Sequence, residues 1–159
     1  MRLRAFLLGG SIVAILDGLD AVLFFGARGV APHRIAQAIA SGVLGRDAFR
    51  GGTGTIALGI ALHFLIAFAI VAIYHLAATR FAILRERPVL CGMVYGLLAY
   101  VVMNEIVLPL SAAATGPRPW PVLLNGLLIH ALGVGLPAAL TVFRGVDVPP
   151  AAAWRPAAE

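Results

Sequence analysis

The sequence contains no lysine, one cysteine and few charged residues, and each shortage excludes a class of protein. Charged residues make up only 12% of the 159 residues, whereas 61% are hydrophobic, a balance foreign to soluble globular proteins. The single cysteine, Cys91, excludes an internal disulfide framework. The net charge of +5 comes from arginines that form no patch interleaved with aromatic residues, which argues against a nucleic-acid partner. The composition therefore predicts a protein whose main partner is the lipid bilayer.

Four long apolar stretches predict an all-α membrane protein with its spans in an antiparallel four-helix bundle. A membrane-spanning helix needs about 20 predominantly apolar residues. The stretches that meet this length are residues 5–25, 55–78, 89–110 and 122–143, which together make residues 1–143 one transmembrane domain. Pro137 predicts a kink in the fourth span, because an interior proline removes a helix hydrogen bond. Residues 144–159 form a proline- and alanine-rich tail, which we expect to be disordered.

The segment between the first two spans predicts a short amphipathic helix over residues 32–44. Pro32 suits the first turn of a helix and Gly45 suits its end. Apolar residues recur between them at helical spacing, namely Ile35, Ala36, Ile39, Ala40 and Val43. A helix of this length is too short to cross the bilayer, so we expect it to lie in the membrane interface.

The distribution of arginines between the spans predicts the orientation in the membrane. Seven arginines fall on the side of the chain termini, namely Arg2, Arg4, Arg80, Arg85, Arg87, Arg144 and Arg155. Five fall on the opposite side, namely Arg28, Arg34, Arg46, Arg50 and Arg118. Basic residues are in excess on the cytoplasmic side of membrane proteins. We therefore expect a multi-pass protein of a bacterial inner membrane, with both termini in the cytoplasm and the interfacial helix on the outer side.

Each span carries at least one polar side chain near the same depth. Asp17 and Asp20 are three residues apart, which places them on one face of the first span. A rise of about 1.5 Å per residue puts all the candidates on the non-cytoplasmic side, from about 3 Å to about 9 Å beyond the midplane. The candidates are Asp17, Asp20, His63, Asn104, Glu105 and His130. Because ionisable groups at membrane depth are costly, we predict that they form one buried polar cluster.

Small residues one turn from the histidines favour an interior position for both imidazoles. Gly59 precedes His63 by four residues, and Gly126 precedes His130 by four. Small residues at this spacing let membrane helices approach closely. A similar row on the third span consists of Gly92, Gly96, Tyr100 and Asn104, with Glu105 about 100° round the helix from it. The remaining histidines, His33 and His75, lie near the span ends, where we expect them to be solvated.

Four interpretations of the cluster are open. It could bind or pass a proton or cation, since intramembrane carboxylates and imidazoles form proton relays. It could only specify helix packing in a structural or assembly subunit. It could hold a divalent metal such as zinc, manganese or non-haem iron through His63, His130, Asp17, Asp20 and Glu105. Haem b between the two histidines is the fourth. We favour the first, and we expect no enzymatic activity because no nucleophile has a base at a recognisable spacing.

Four short motifs resemble a group of bacterial inner-membrane proteins related to the YagU family. They are Leu-Asp-Gly-Leu-Asp-Ala at 16–21, Ile-Ala-Ser-Gly-Val-Leu-Gly at 39–45, Leu-His-Phe-Leu-Ile-Ala-Phe at 62–68 and His-Ala-Leu-Gly-Val-Gly-Leu-Pro at 130–137. The resemblance implies an integral membrane protein associated with acid resistance and supplies no catalytic residues. It favours the proton-linked interpretation. Spans rich in glycine and alanine would also permit a homo-oligomer or a larger membrane complex.

Overall fold

The computed structural model describes residues 3–143, and every regular element within that range is helical. Four helices are long and apolar enough to cross a membrane: Leu3–Gly26, Gly52–Arg80, Pro88–Leu110 and Trp120–Val142. Their bounds differ from the predicted ones by no more than three residues, so the prediction of four spans is confirmed. The chain is thus a multi-pass membrane protein by the length and composition of its helices. The predicted tail at 144–159 lies outside the described residues.

The first two spans are continuous helices, whereas the last two are each built from several segments. The first half of the chain consists of α1 (Leu3–Gly26), α2 (Pro32–Leu44), a 3₁₀ turn (Gly45–Phe49), α3 (Gly52–Arg80) and α4 (Ile83–Glu86). The third span joins α5 (Pro88–Val102), a π-helical segment (Met103–Val107) and α6 (Leu108–Leu110). The fourth joins α7 (Trp120–Ile129), a second π-helical segment (His130–Gly135) and α8 (Leu136–Phe143).

A core of mostly small side chains joins the first, second and fourth spans. Its buried members are Val13, Ala14, Ala67, Val71, Tyr74, Ala78, Val134, Ala138, Ala139 and Val142. Tyr74 is the largest of them, and its hydroxyl donates a 3.0 Å hydrogen bond to the backbone carbonyl of Leu84 in α4. Small side chains let the three helices pack closely without voids. By contrast, large apolar side chains such as Leu8, Leu65, Leu98 and Leu128 are exposed on the outside, as contact with lipid requires.

Glycines on the third span contact the backbone of the fourth span directly. A Cβ atom on Gly96 would collide with the carbonyl of His130, and one on Gly92 would lie 2.9 Å from the carbonyl oxygen of Gly135. The predicted row of small residues on the third span therefore lies at a helix contact. Close backbone approach of this kind is the usual role of glycine between membrane helices.

Each π-helical segment ends two residues before a proline. Val107 precedes Pro109 by two residues, and Gly135 precedes Pro137 by two. Proline has no backbone N–H, and its ring presses against the carbonyl four residues earlier, so the preceding turn widens. The sequence predicts a disturbance at Pro137 and gives no expectation for Pro109. π-Helical turns are frequent at functional sites. The two segments here contain three of the candidate residues, namely Asn104, Glu105 and His130.

The predicted short helix α2 has the expected bounds and packs against α3. Gln37 and Ser41 are buried on it, and the Gln37 amide lies 3.3 Å from the hydroxyl of Thr55 as a hydrogen-bond donor. Gly59 of α3 meets the backbone carbonyl of Ala36, leaving no room for a Cβ atom. The side of α2 that faces the protein is thus partly polar, whereas the sequence suggested an apolar stripe. This packing places α2 against the N-terminal part of α3.

Candidate functional site

A partly open cleft of about 1060 Å³ lies between the core and α2. All four spans line it, together with α2 and the loop that precedes the fourth span. Val13, Ala67 and Val134 of the core contribute to its wall, and most of the lining is apolar. The polar side chains on it are Asp17, Asp20, His33, His63, Tyr100, Asn104, Ser111, Thr115, Arg118, Asn125 and His130. Five of the six candidate residues therefore line one cleft.

Asp17 and His63 form the pair nearest the core. The Nε2 atom of His63 lies 2.8 Å from the backbone carbonyl of Ala14, and a carbonyl only accepts, so Nε2 carries a proton. The other nitrogen, Nδ1, then faces Asp17 and lies 3.9 Å from its Oδ2 atom. The side chain of His63 is 17% exposed and that of Asp17 is 27% exposed. At this separation the two facing atoms lie beyond hydrogen-bond distance of each other.

Gly18 explains why the imidazole fits so close to the first span. A Cβ atom at this position would lie 3.2 Å from Nε2 of His63. A contact this short would require the imidazole to shift by a few tenths of an ångström. The sequence Asp17-Gly18 therefore supplies both the carboxylate and the space for its partner.

Asp20 is held by a residue that the sequence did not single out. The side-chain amide of Asn125 on the fourth span donates a 2.7 Å hydrogen bond to Oδ2 of Asp20. Asn125 is half-buried and lines the same cleft. A polar amide five residues before His130 in an otherwise apolar span was the available signal. This contact links the first and fourth spans.

His130 lines the cleft from the fourth span and packs against Tyr100. Its Nδ1 atom lies 3.0 Å from the carbonyl of Gly126 and donates to it, which leaves Nε2 as the nitrogen without a proton in the neutral ring. The two rings meet edge to face with centroids 5.2 Å apart. A Cβ atom on Gly126 would collide with the Tyr100 ring. The small residue before His130 thus makes room for an aromatic ring, and the imidazole is half-buried on the cleft.

The third-span candidates separate from one another. Asn104 is half-buried on the cleft and donates a 3.0 Å hydrogen bond to the carbonyl of Tyr100 in its own helix. Glu105, predicted to lie in the buried cluster, is instead 56% exposed and pairs with Arg118 of the loop. It lies about 100° further round the helix than Asn104 and so turns away from the cleft. The hydrogen bond to Glu105 raises the pKa of the Arg118 guanidinium above its ordinary value.

The two histidines expected near the span ends differ in their surroundings. His33 on α2 is exposed at the cleft, as a solvated residue would be. His75, also expected to be solvated, is only 5% exposed, which corrects that expectation. Its Nε2 atom has no hydrogen-bond partner among the described residues. His75 is next to Tyr74 of the core and does not line the cleft.

The donor set for a metal ion is not brought together in the described part of the chain. Within residues 3–143 no three His, Cys, Asp or Glu side chains are placed to hold one ion. A zinc site needs three or four such ligands. The metal interpretation thus gains no support from these positions, and the haem interpretation stays a prediction.

Comparison of the chain with models of protein families, with curated proteins and with solved structures finds no match. The resemblance to the YagU family therefore stays a prediction. What the cleft can do chemically follows from its own residues. Two carboxylates and three imidazoles line a partly open space, and such groups bind protons or cations.

Proposed function

We propose that the protein binds a proton or cation in the cleft and passes it along the membrane interior. The observation that carries the proposal is the position of the Asp17 and His63 pair on an open cleft. A cluster that served packing alone would have its polar groups buried and fully hydrogen-bonded. Here the two facing atoms are 3.9 Å apart, so the pair can take up a proton without breaking a bond between them.

The other polar residues have supporting roles in this proposal. The Ala14 carbonyl fixes the ring of His63, so that Nδ1 stays directed at Asp17. Asn125 holds the carboxylate of Asp20 on the cleft. His130 contributes a second exchangeable nitrogen, because only its Nδ1 atom is committed to a backbone carbonyl. An incoming proton or cation would thus meet Asp20 and His130 as well as the Asp17 and His63 pair.

The proposed setting is an antiparallel four-helix bundle in a bacterial inner membrane. An even number of spans places residues 3 and 143 on one side, and the arginine bias favours the cytoplasm for that side. In this setting α2 lies at the outer interface, and the cleft opens to the outside. The core of Val71, Ala138 and neighbouring side chains would then separate the cleft from the cytoplasm. Passage would require that core to open transiently, by a lid-like motion of the spans.

A packing role in a structural or assembly subunit is the second candidate. The 2.7 Å hydrogen bond between Asn125 and Asp20 favours it, because it ties together spans that are distant in sequence. Polar contacts across membrane helices specify which faces meet. Under this role the carboxylates would matter for folding or for assembly with further subunits, and no ion would be exchanged. Glycine-rich helix faces leave self-association open as part of either role.

Proton flux into liposomes tests the proposal against the packing role. Purified protein is reconstituted with a pH-sensitive dye inside, and flux is driven by an imposed potential. We expect the wild type to conduct, Asp17→Asn to fall to the level of empty liposomes, and Asp47→Asn to resemble the wild type. Asp47 is the matched control because it is exposed in a turn, with Oδ1 3.7 Å from Arg50 Nη1. Equal flux from all three proteins and from empty liposomes would contradict a conducting role.

A further inference from the structure

The cleft is far larger than a proton or a bare inorganic ion requires. A water molecule takes about 30 Å³ of liquid volume, whereas the cleft measures about 1060 Å³. Pockets for small organic molecules are typically about 300–1,000 Å³, with mostly apolar walls and a few placed polar groups. The cleft matches that description in both size and lining. Its volume therefore leaves room for an organic ligand.

The walls offer an apolar and aromatic surface to such a ligand. The large apolar side chains on it include Phe25, Ile39, Ile60, Phe64, Met103 and Ile129. The ring of Tyr100 adds an aromatic group at the contact between the third and fourth spans. Aromatic rings attract cations to their faces as well as providing apolar contact area. An apolar body would thus be favoured over a strongly hydrated one.

The charges on the cleft select the sign of the ligand. Among the described residues that line it, Asp17 and Asp20 are the acidic ones, and they lie on one face of α1. Arg118 is the lining arginine, and its guanidinium is already paired with Glu105. The other titratable groups facing the carboxylates are His33, His63, Tyr100 and His130. With neutral imidazoles the interior of the cleft is negative, which attracts a cation.

An inorganic divalent cation fits the donors less well than an organic one. Calcium takes six to eight oxygen ligands and magnesium takes six in near-octahedral geometry. The cleft supplies the carboxylates of Asp17 and Asp20 with the amides of Asn104 and Asn125. The amide nitrogen of Asn125 already donates to Asp20. Two carboxylates beside an apolar space suit a cation whose charge is spread over an organic group.

We propose that the cleft binds a lipophilic organic cation of the quaternary ammonium or phosphonium class. Its charged centre lies beside Asp17 and Asp20, and its apolar groups pack against the walls named above. Protons compete with the cation, because protonation of the carboxylates removes the charge that attracts it. This inference rests on the proposed function and names the substrate class of the same site. A proton taken up would then be exchanged for the organic cation.

Equilibrium binding of two probes of nearly equal shape and opposite charge tests the inference. Tetraphenylphosphonium and tetraphenylborate are titrated separately into the full-length protein in a neutral detergent. We expect saturable binding of the phosphonium and none of the borate. Asp17→Asn and Asp20→Asn should weaken phosphonium binding at least tenfold, whereas Asp47→Asn, outside the cleft, should leave it unchanged. Helical content by circular dichroism verifies that each variant is folded.

A pH series on the wild type needs no variant and separates the inference from the proposed function. Phosphonium affinity should fall as the pH is lowered and recover when the pH is restored. Equal binding of both probes, or binding that does not depend on either aspartate, would overturn the inference. If no phosphonium binds while proton flux still requires Asp17, the proposed function stands and the substrate class is wrong. If flux is absent as well, both fail.

Discussion

Asn125 donates a 2.7 Å hydrogen bond to the carboxylate of Asp20 across 105 residues of sequence. The bond joins the first span to the fourth on the wall of the cleft. It also distinguishes the two aspartates, because Asp20 has an amide donor while Asp17 faces an imidazole at 3.9 Å. One carboxylate is therefore held by a hydrogen bond, and the other faces an imidazole beyond hydrogen-bond distance.

Replacing Asn125 by leucine should destabilise the protein by about 0.5–1.5 kcal/mol, the usual range for a hydrogen bond between membrane helices. The reason is that Asp20 loses its hydrogen-bond donor, while leucine is similar to asparagine in side-chain size. Asn104→Leu is the matched control, since the Asn104 amide bonds only to a carbonyl of its own helix. Reversible unfolding in mixed detergent micelles measures both. Equal losses in the two variants would contradict a special role for the contact between spans.

Alanine at Gly96 and at Gly54 should change stability in opposite directions. A Cβ atom on Gly96 meets the carbonyl of His130, so Gly96→Ala should cost about 1–3 kcal/mol by overpacking. Gly54 is helical, and nothing lies within 4 Å of its added Cβ atom. Gly54→Ala should therefore stabilise by up to about 1 kcal/mol through helix propensity. Thermal unfolding of both variants measures these changes. A Gly96→Ala protein as stable as the wild type would contradict the close contact between the third and fourth spans.

Glu105→Gln should leave proton flux in liposomes unchanged, although Glu105 is as deep in a span as the aspartates by sequence. The carboxylate is 56% exposed, pairs with Arg118 and does not line the cleft. Asp17→Asn, measured beside it, should abolish the flux. A loss of flux in Glu105→Gln equal to that in Asp17→Asn would contradict our assignment of the conducting group to Asp17 on the cleft.

Cysteine labelling should distinguish the open cleft from the closed core. In a Cys91→Ser background, Ala21→Cys on the cleft should react with a membrane-impermeant thiol reagent added from outside. Ala138→Cys, in the fully buried core, should stay unreactive until the protein is unfolded. Reaction of Ala21→Cys only from the cytoplasmic side would reverse the proposed orientation. Rapid labelling of Ala138→Cys would contradict a closed core between the cleft and the cytoplasm.

The four spans, and a common location for most of the polar candidates, could be predicted because both follow from the length of the apolar stretches and the helix rise. Counting 1.5 Å per residue placed Asp17, His63 and His130 at similar depth, and all three line the cleft. The bounds of α2 followed from Pro32 and Gly45, which mark a helix start and end locally. These features are set by residues close in sequence, so a single sequence contains them.

The rotation of each helix about its axis could not be predicted in the same way. Depth alone could not separate Asn104 from Glu105, which are neighbours in sequence but face different surroundings. The role of Asn125 depends on Asp20 of another span, and the burial of His75 depends on the core around Tyr74. Such contacts are decided by packing between distant segments.

The most direct test of the account is infrared difference spectroscopy of the protein in lipid across a pH change. The central claim is that the carboxyl group of Asp17 gains and loses a proton from the water of the cleft. We predict a carboxylic acid band that rises as the pH falls, shifts in deuterated buffer and is lost in Asp17→Asn but kept in Asp47→Asn. A spectrum in which no band depends on Asp17, or in which the band resists deuterium exchange, would contradict that claim.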